Sequence, residues 1–219
     1  MAELIADPFR AARLLLSLRQ EGVTDPSVLA AMETIGRAAF VDDPGLEALA
    51  FEDAMLPIPC GQVMLRPSAT GHLIQALRLK RGREGRVLLI GFGSGYMAAL
   101  LSQLAGHVFA VERFRRLTEA GRARLTRLGI ENVTLAQRDG LNGWAEQGPF
   151  DAIVIAGVVS SVPDGLSSQL SKGGVLVAPV NDREGQATLL RLNALGLELD
   201  RRPLFQWMPP LIEGRAQVL

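Results

Sequence analysis

Arg86-Val87-Leu88-Leu89-Ile90-Gly91-Phe92-Gly93-Ser94-Gly95-Tyr96 is an apolar run that ends in three glycines at alternate positions, with a helical pattern directly behind it. That is the layout of a buried strand, a tight turn and a helix N-terminus. Glycine tolerates positive φ and has no Cβ to hold a ligand off the backbone. The unpaired amides of the following helix point into the same space. A turn of this kind suits a cofactor that carries a nucleoside. Its sixth position separates the cofactor classes. Dinucleotide-binding turns read G-x-G-x-x-G or A, where the last small residue lets helix and strand pack closely. Here that position is Tyr96, and its ring argues against a pyrophosphate site and a nicotinamide oxidoreductase.

Working outward, strands and helices alternate. The pattern predicts a strand over 86–90, a helix from Met97 to Leu104, a strand over 107–111, and a helix from Leu117 to Leu128. A short strand at Val133-Thr134-Leu135 follows, then a strongly apolar one from Phe150 to Ala156, a helix from Pro163 to Leu170 and a strand from Gly174 to Pro179. Thr188 to Leu192 and Leu197 to Phe205 read as late strands. Apolar strands separated by helices imply an α/β fold, a mostly parallel sheet with helices on both faces. Ligands on such sheets sit at the carboxyl ends of the strands. Gly91, Glu112, Asp139 and Gly157 all follow strands at that end. An acid one strand after a glycine turn typically accepts hydrogen bonds from ribose hydroxyls, which is the role expected of Glu112. The rival reading is a solvated strand-end charge beside Arg113.

Upstream of the turn the pattern is helical and loop-rich. Leu14, Leu15 and Leu18 share one face of a helix from about Pro8 to Gln20. Asp25-Pro26 resembles an N-cap followed by proline at the first helical position, opening a helix to about Ile35. Residues 40–58 are turn-rich, 61–68 read as a loop, and a helix is expected from Ala69 to about Leu79. The expected organisation is therefore an N-terminal helical and loop extension over 1–80 and a cofactor-binding domain over 81–219, together one compact unit.

Bulk composition narrows the class. The chain has 219 residues, 48% of them hydrophobic, enough for a sizeable core. With 23 basic and 23 acidic residues, no cationic excess argues for nucleic acid. Arg113, Arg115, Arg116, Arg122, Arg124 and Arg127 crowd one helix, and a solvated helix face is the expected reading. Cys60 is the single cysteine, so neither an intramolecular disulfide nor a thiolate zinc cluster can form. No signal-peptide core opens the chain, and no apolar run approaches the ~20 residues needed to span a bilayer. A cytoplasmic protein without membrane or nucleic-acid partners is expected.

The pieces together resemble the protein-L-isoaspartate O-methyltransferase family. They are Ala31-Met32 with Phe40-Val41, Leu56-Pro57-Ile58 with Gly61-Gln62 and Pro67, the turn Gly91 to Tyr96, and Val111-Glu112-Arg113. Leu128-Gly129 with Asn132-Val133, Asp139-Gly140, Pro149-Phe150-Asp151, and Pro163 with Gln169-Leu170 continue the match. Gly173 to Val180 and Phe205 with Pro210-Leu211 complete it, over about residues 25–213. The glycine turn looks like the first motif of S-adenosylmethionine-dependent methyltransferases generally, whereas the Gly61-Gln62 loop ahead of it is specific to this family. The resemblance implies a Rossmann-like class I methyltransferase fold and S-adenosylmethionine as cofactor. The implied reaction is methyl transfer to the free carboxylate of isoaspartyl residues in damaged proteins. It implies a cofactor site of Gly91, Phe92, Gly93, Gly95, Tyr96, Glu112, Arg113, Asp139 and Gly140, with Asp139 near the adenine amino group; a simple Asp-Gly turn is the alternative there. It implies a substrate loop of Ile58, Gly61, Gln62, Val63 and Leu65, with Ala156 and Gly157 lining the channel.

Two positions depart from the family pattern. The loop usually reads Gly-Gln-Thr-Ile-Ser, but here it is Gly61-Gln62-Val63-Met64-Leu65, and both hydroxyls are gone. An acid usually stands two residues before the first motif glycine, where this chain has Leu89. Each lost hydrogen bond to a charged group costs about 1.5–3 kcal/mol. Three outcomes stay open: an isoaspartyl methyltransferase, a methyltransferase with another acceptor, or a cofactor-binding protein without turnover. Arg66 could hold a substrate carboxylate by a bidentate contact, against the plainer reading of a surface arginine. His72 and His107 read as structural, and Cys60 has no partner histidine nearby to make it a nucleophile.

Overall fold

The strand that opens the glycine turn lies at the middle of the sheet. The computed structural model describes residues 7–80, 82, 84–182, 184–204 and 207–211. Its N-terminal part contains α1 (Pro8–Gln20), α2 (Pro26–Thr34), a small antiparallel hairpin β1 (Leu56–Ile58) and β2 (Gln62–Met64), and α3 (Pro67–Ala76). Then follow β3 (Arg86–Ile90), α4 (Tyr96–Ser102), β4 (His107–Glu112), α5 (Arg115–Arg127), β5 (Val133–Gln137) and β6 (Phe150–Ile155). The chain closes with α6 (Asp164–Ser167), β7 (Leu170–Asn181), β8 (Ala187–Asn193) and β9 (Glu198–Pro203).

The large sheet has the order β5-β4-β3-β6-β7-β8-β9. The connections explain its directions. Helical or long crossovers join β3 through β7, and those pairs are parallel. Short turns join β7 to β8 and β8 to β9, which forces both pairs to be antiparallel. Asp182 and Asn193 build these turns: Asp182 Oδ1 accepts from the amides of Glu184 and Gln186, and Asn193 Oδ1 from those of Leu195 and Leu197. The strand order reverses between β3 and β6, so a crevice opens at their carboxyl ends.

Alternation along the strands divides the core. Val87, Leu89, Val108, Ala110 and Val154 face the layer that holds α2 to α5, together with Leu18, Phe40 and Leu73 from the N-terminal part. Residues 8–76 and the sheet thus share one apolar core. Leu88, Ile90, Phe109, Val111 and Ile153 face the other side. That side is covered more thinly, by the single turn of α6 with Leu166 and by short 3-10 turns carrying Leu141 and Trp144. Each fully buried aliphatic side chain contributes about 1.5–3 kcal/mol.

Several expectations shift in extent. The helix expected over 163–170 is only the turn Asp164–Ser167, because β7 starts at Leu170, well before Gly174. Leu170 pairs with Phe150 and Val175 with Ala152, and the extra residues between them form a bulge. The loop expected over 61–68 contains a strand, β2, reached through Cys60 (φ 64°) and Gly61 (φ 66°). Phe205 lies outside the described residues. The arginines of α5 are not simply a solvated face: Arg124 is buried, donates to the carbonyl of Ser94 at 2.8 Å and pairs with Asp42. Arg122 and Arg127 also donate to backbone carbonyls, of Leu135 and Ala39. Among the described residues no helix is long and apolar enough to cross a membrane.

Candidate active site

The three glycines after β3 all occupy the left-handed region, Gly91 at φ 87°, Gly93 at 57° and Gly95 at 91°. A side chain at each would be strained. Gly95 also sits against the Phe92 ring, where a Cβ would come within 2.5 Å of Cζ. The Phe92 ring therefore faces the packing between the turn and α5, and its backbone, not its ring, lies along the crevice; its amide donates to the carbonyl of Val111 at 3.1 Å. Tyr96 is buried against Phe40 with ring centroids 5.4 Å apart. Burial pushes its phenol up to about 12, so it stays protonated at neutral pH.

Glu112 closes β4 and is 6% exposed. Its Oε2 accepts from the amide of Gly93 at 2.9 Å and its Oε1 from that of Phe114 at 3.0 Å. The backbone N–H of Arg113 supports the same carboxylate. This carboxylate therefore fastens the glycine turn to the end of β4 and lines the same crevice. It is not the solvated strand-end charge of the rival reading. Burial raises its pKa above 4.5, opposed by the backbone N–H groups of Phe114 and Gly93. Asp139 lines the crevice one strand further out, and its Oδ1 caps the turn at the amide of Leu141, 3.1 Å away. Gly140 is required there because a Cβ would collide with Ile90 Cγ2.

The β1–β2 hairpin covers the opposite wall. Ile58, Gln62, Val63, Met64 and Leu65 line the crevice with Ala156, Arg113 and Thr70. Gly61, Gly95 and Gly157 lie outside the lining. A Cβ on Gly157 would stand 3.1 Å from the amide of Leu211, because Leu211 covers it. Arg66 also lies outside the lining; its Nη1 donates to the carbonyl of Asp53 at 3.3 Å, tying the loop to the 53–54 turn. Of the two readings of Arg66, the guanidinium's bond to the Asp53 carbonyl favours a role in the protein's own packing over a substrate contact. No hydroxyl replaces the missing serine: Leu65 is 8% exposed, and Thr70, one turn into α3, donates its Oγ1 proton to the carbonyl of Arg66 at 3.0 Å. Leu89 is fully buried in the core.

Two parts of the site were not legible in the sequence. Arg37 is buried and donates to four backbone carbonyls, those of Leu49, Glu52, Ala54 and Leu65. Burial lowers its pKa to about 10, so it remains charged at neutral pH. It anchors the hairpin from below. The other part is the strap Pro209-Pro210-Leu211, held by a parallel bridge between Val158 and Pro210. Leu211 Cδ1 would lie 3.2 Å from a Cβ on Gly91. With the strap in place the crevice encloses about 100 Å³, below the ~300 Å³ at which small-molecule sites begin.

The residues fit an adenosyl cofactor. Gly91, Gly93 and Gly140 border the space without side chains, and the Glu112 carboxylate lines it. Apolar walls from Ile58, Ile90, Val111 and Leu117 suit a purine or a thioether. Because ribose hydroxyls donate to an ionised carboxylate, affinity depends on the charge of Glu112. Protonation begins above the ordinary glutamate range, since burial has raised the group. S-adenosylhomocysteine affinity is therefore expected to weaken as the pH falls, starting at a higher pH than an ordinary exposed glutamate would give. Calorimetric titrations at falling pH check this, and a flat profile contradicts it.

Comparison with known proteins gives a consistent picture. A family model described as protein-L-isoaspartate(D-aspartate) O-methyltransferase matches residues 10–196. A Paracoccus denitrificans protein-L-isoaspartate O-methyltransferase is 42% identical over 210 residues, covering 95% of each chain. A Jannaschia relative of the same name is 39% identical over 96% of this chain and 94% of its own. A solved protein-L-isoaspartate O-methyltransferase is 29% identical with a TM-score of 0.74, over 83% of this chain and 59% of that one. A Plasmodium falciparum structure described with S-adenosyl-L-homocysteine shares the fold, with a TM-score of 0.77 at 21% identity over 92% and 98% of the two chains.

Proposed function

The chain belongs to the protein-L-isoaspartate O-methyltransferase family, and from that premise we propose that it is a working enzyme despite its altered loop. It uses S-adenosylmethionine and methylates the carboxylate of isoaspartyl residues in proteins. The observation that carries the reading is the meeting of two left-handed glycines, Gly91 and Gly93, with Glu112 and Asp139 at the carboxyl ends of β3, β4 and β5, under a hairpin that forms the other wall.

The bound cofactor supplies an electrophilic methyl on a sulfonium, a good leaving group. The acceptor carboxylate is already ionised at neutral pH, so no residue has to remove a proton. What remains for the chain is alignment of nucleophile, methyl and sulfur. Glu112 holds the sugar, Asp139 the purine side, and Gly91 and Gly93 let the backbone approach, while Gly95 gives the turn its room beside Phe92. Gln62, Val63 and Leu65 on the hairpin position the acceptor, and Ala156 leaves it room. Residues 1–80 act as the extension that carries this wall. Neutral composition and one cysteine support a cytoplasmic enzyme that does not bind nucleic acid.

The test is a matched peptide pair, one with isoaspartate and one with aspartate at the same position. Labelled methyl incorporation into the first alone supports the reading. Incorporation into neither, with cofactor bound, contradicts it. Leu65 is expected to make the enzyme slow, because a hydroxyl bonded to a charged reactant contributes about 1.5–3 kcal/mol. Leu65→Ser should therefore raise kcat on the isoaspartyl peptide about tenfold or more. The same change removes buried apolar volume and should lower Tm by several degrees, roughly 2–4 °C per kcal/mol lost. An unchanged kcat in a folded variant would show that this position does not limit transfer.

A further inference from the structure

A second cleft, of about 680 Å³, lies on the far side of α3 from the cofactor crevice. It is within the size range of small-molecule sites. Its floor is the outer end of the sheet, where Arg191 of β8 stands opposite Asp200 of β9, and Arg202 follows on the same face. Arg78, just past α3, adds a third guanidinium. Asp200 is the acid among them: Arg202 places Nε at 2.9 Å and Nη2 at 2.8 Å from its Oδ2, whereas Arg191 Nη1 is 3.9 Å away. Arg191 is 8% exposed, and its Nε has no hydrogen-bond partner among the described residues. A buried guanidinium so poorly paired is costly unless an anion completes it.

Burial, with Arg78 and Arg202 nearby, holds the Arg191 pKa below its usual value, while Asp200 opposes the shift. Three cations thus converge on one carboxylate that is already taken by Arg202. Arg78 is held at φ 50°, a helix-end conformation where glycine is usual, although a cationic side chain is what the cleft receives. Leu189, Leu204 and Met208 give the same cleft an apolar wall. Across the opening, Asp25 is engaged in capping α2 at the amides of Ser27 and Val28, and Glu21 also lines that side.

We propose that this cleft binds a small organic anion. Its carboxylate or phosphate sits on Arg191, Arg78 and Arg202, and its apolar body lies on Leu189, Leu204 and Met208. Planar guanidinium groups take either head group by paired N–H donors. The site is independent of the methyltransferase reaction.

Phenyl phosphate, phenylacetate and inorganic phosphate are the probes, titrated calorimetrically at about 0.15 M salt with the cofactor crevice saturated by S-adenosylhomocysteine. One aromatic probe is expected to bind one-to-one at roughly millimolar Kd or tighter, and inorganic phosphate more weakly. Arg78→Gln, at an exposed position, and Arg191→Met should each weaken it about tenfold or more. Asp200→Asn should tighten it, by releasing Arg202 and removing a like charge. The same charge change at exposed Glu33, Glu33→Gln, should leave it unaltered. S-adenosylhomocysteine affinity should stay constant throughout. Absence of binding by either aromatic probe, or binding indifferent to Arg78→Gln, overturns the proposal. Equal binding of inorganic phosphate overturns the apolar part of it.

Discussion

Glu112→Ala is expected to weaken S-adenosylhomocysteine binding by at least two powers of ten. The carboxylate has two sets of partners. From the protein it accepts the amides of Gly93 and Phe114, and from the crevice it lines it is proposed to accept the sugar hydroxyls. A hydrogen bond to a charged group contributes about 1.5–3 kcal/mol, and two ribose hydroxyls make two of them. Alanine also strands the amide of Gly93, so the turn loses the anchor that sets its shape. Glu112→Gln keeps an acceptor oxygen but no charge, and should sit between alanine and wild type. Its affinity should also lose the dependence on pH seen as Glu112 protonates. Calorimetry on the three proteins resolves this order. Wild-type affinity in Glu112→Ala would show that the carboxylate merely supports the turn.

Arg37→Met should destabilise the fold by about 3 kcal/mol or more, because four carbonyls lose a charged donor at once. For a domain of this size that corresponds to a Tm drop of about 6–12 °C. The carbonyls belong to Leu49, Glu52, Ala54 and Leu65, so the damage concentrates on the segment that leads into the hairpin. Substrate KM should consequently rise more than cofactor Kd. Thermal melting and the two affinities together check this. A variant that melts like wild type would mean that water replaces the guanidinium at no cost.

The contrast between Glu112 and Arg37 shows what the chain made legible. Glu112 announces itself locally: an apolar strand, an acid at its end, and a glycine turn one strand earlier. Gly91, Gly93 and Gly95 likewise carry their backbone requirement in their spacing, and all three take positive φ. The central strands were readable because their apolar runs are continuous. Arg37 gives no such signal, since its four acceptors lie up to 28 residues further on and an arginine between Gly36 and Ala38 looks like surface. The β1–β2 hairpin was hidden for another reason: its strands have three residues each and one contains Pro57. β7 began earlier than expected because Lys172-Gly173 reads as a turn, whereas it lies within a bulge inside the strand. Leu211 reached the crevice through tertiary packing alone, far in sequence from Gly91, which it covers.

Direct titration of the purified protein with S-adenosylhomocysteine bears most closely on the pocket. One-to-one binding at about micromolar Kd, tightened when Leu211 is cut to alanine and weakened about a hundredfold or more in Glu112→Ala, is the predicted result. No heat of binding at millimolar ligand, in the wild type and with Leu211 cut back alike, would contradict a cofactor site at the carboxyl ends of β3 and β4.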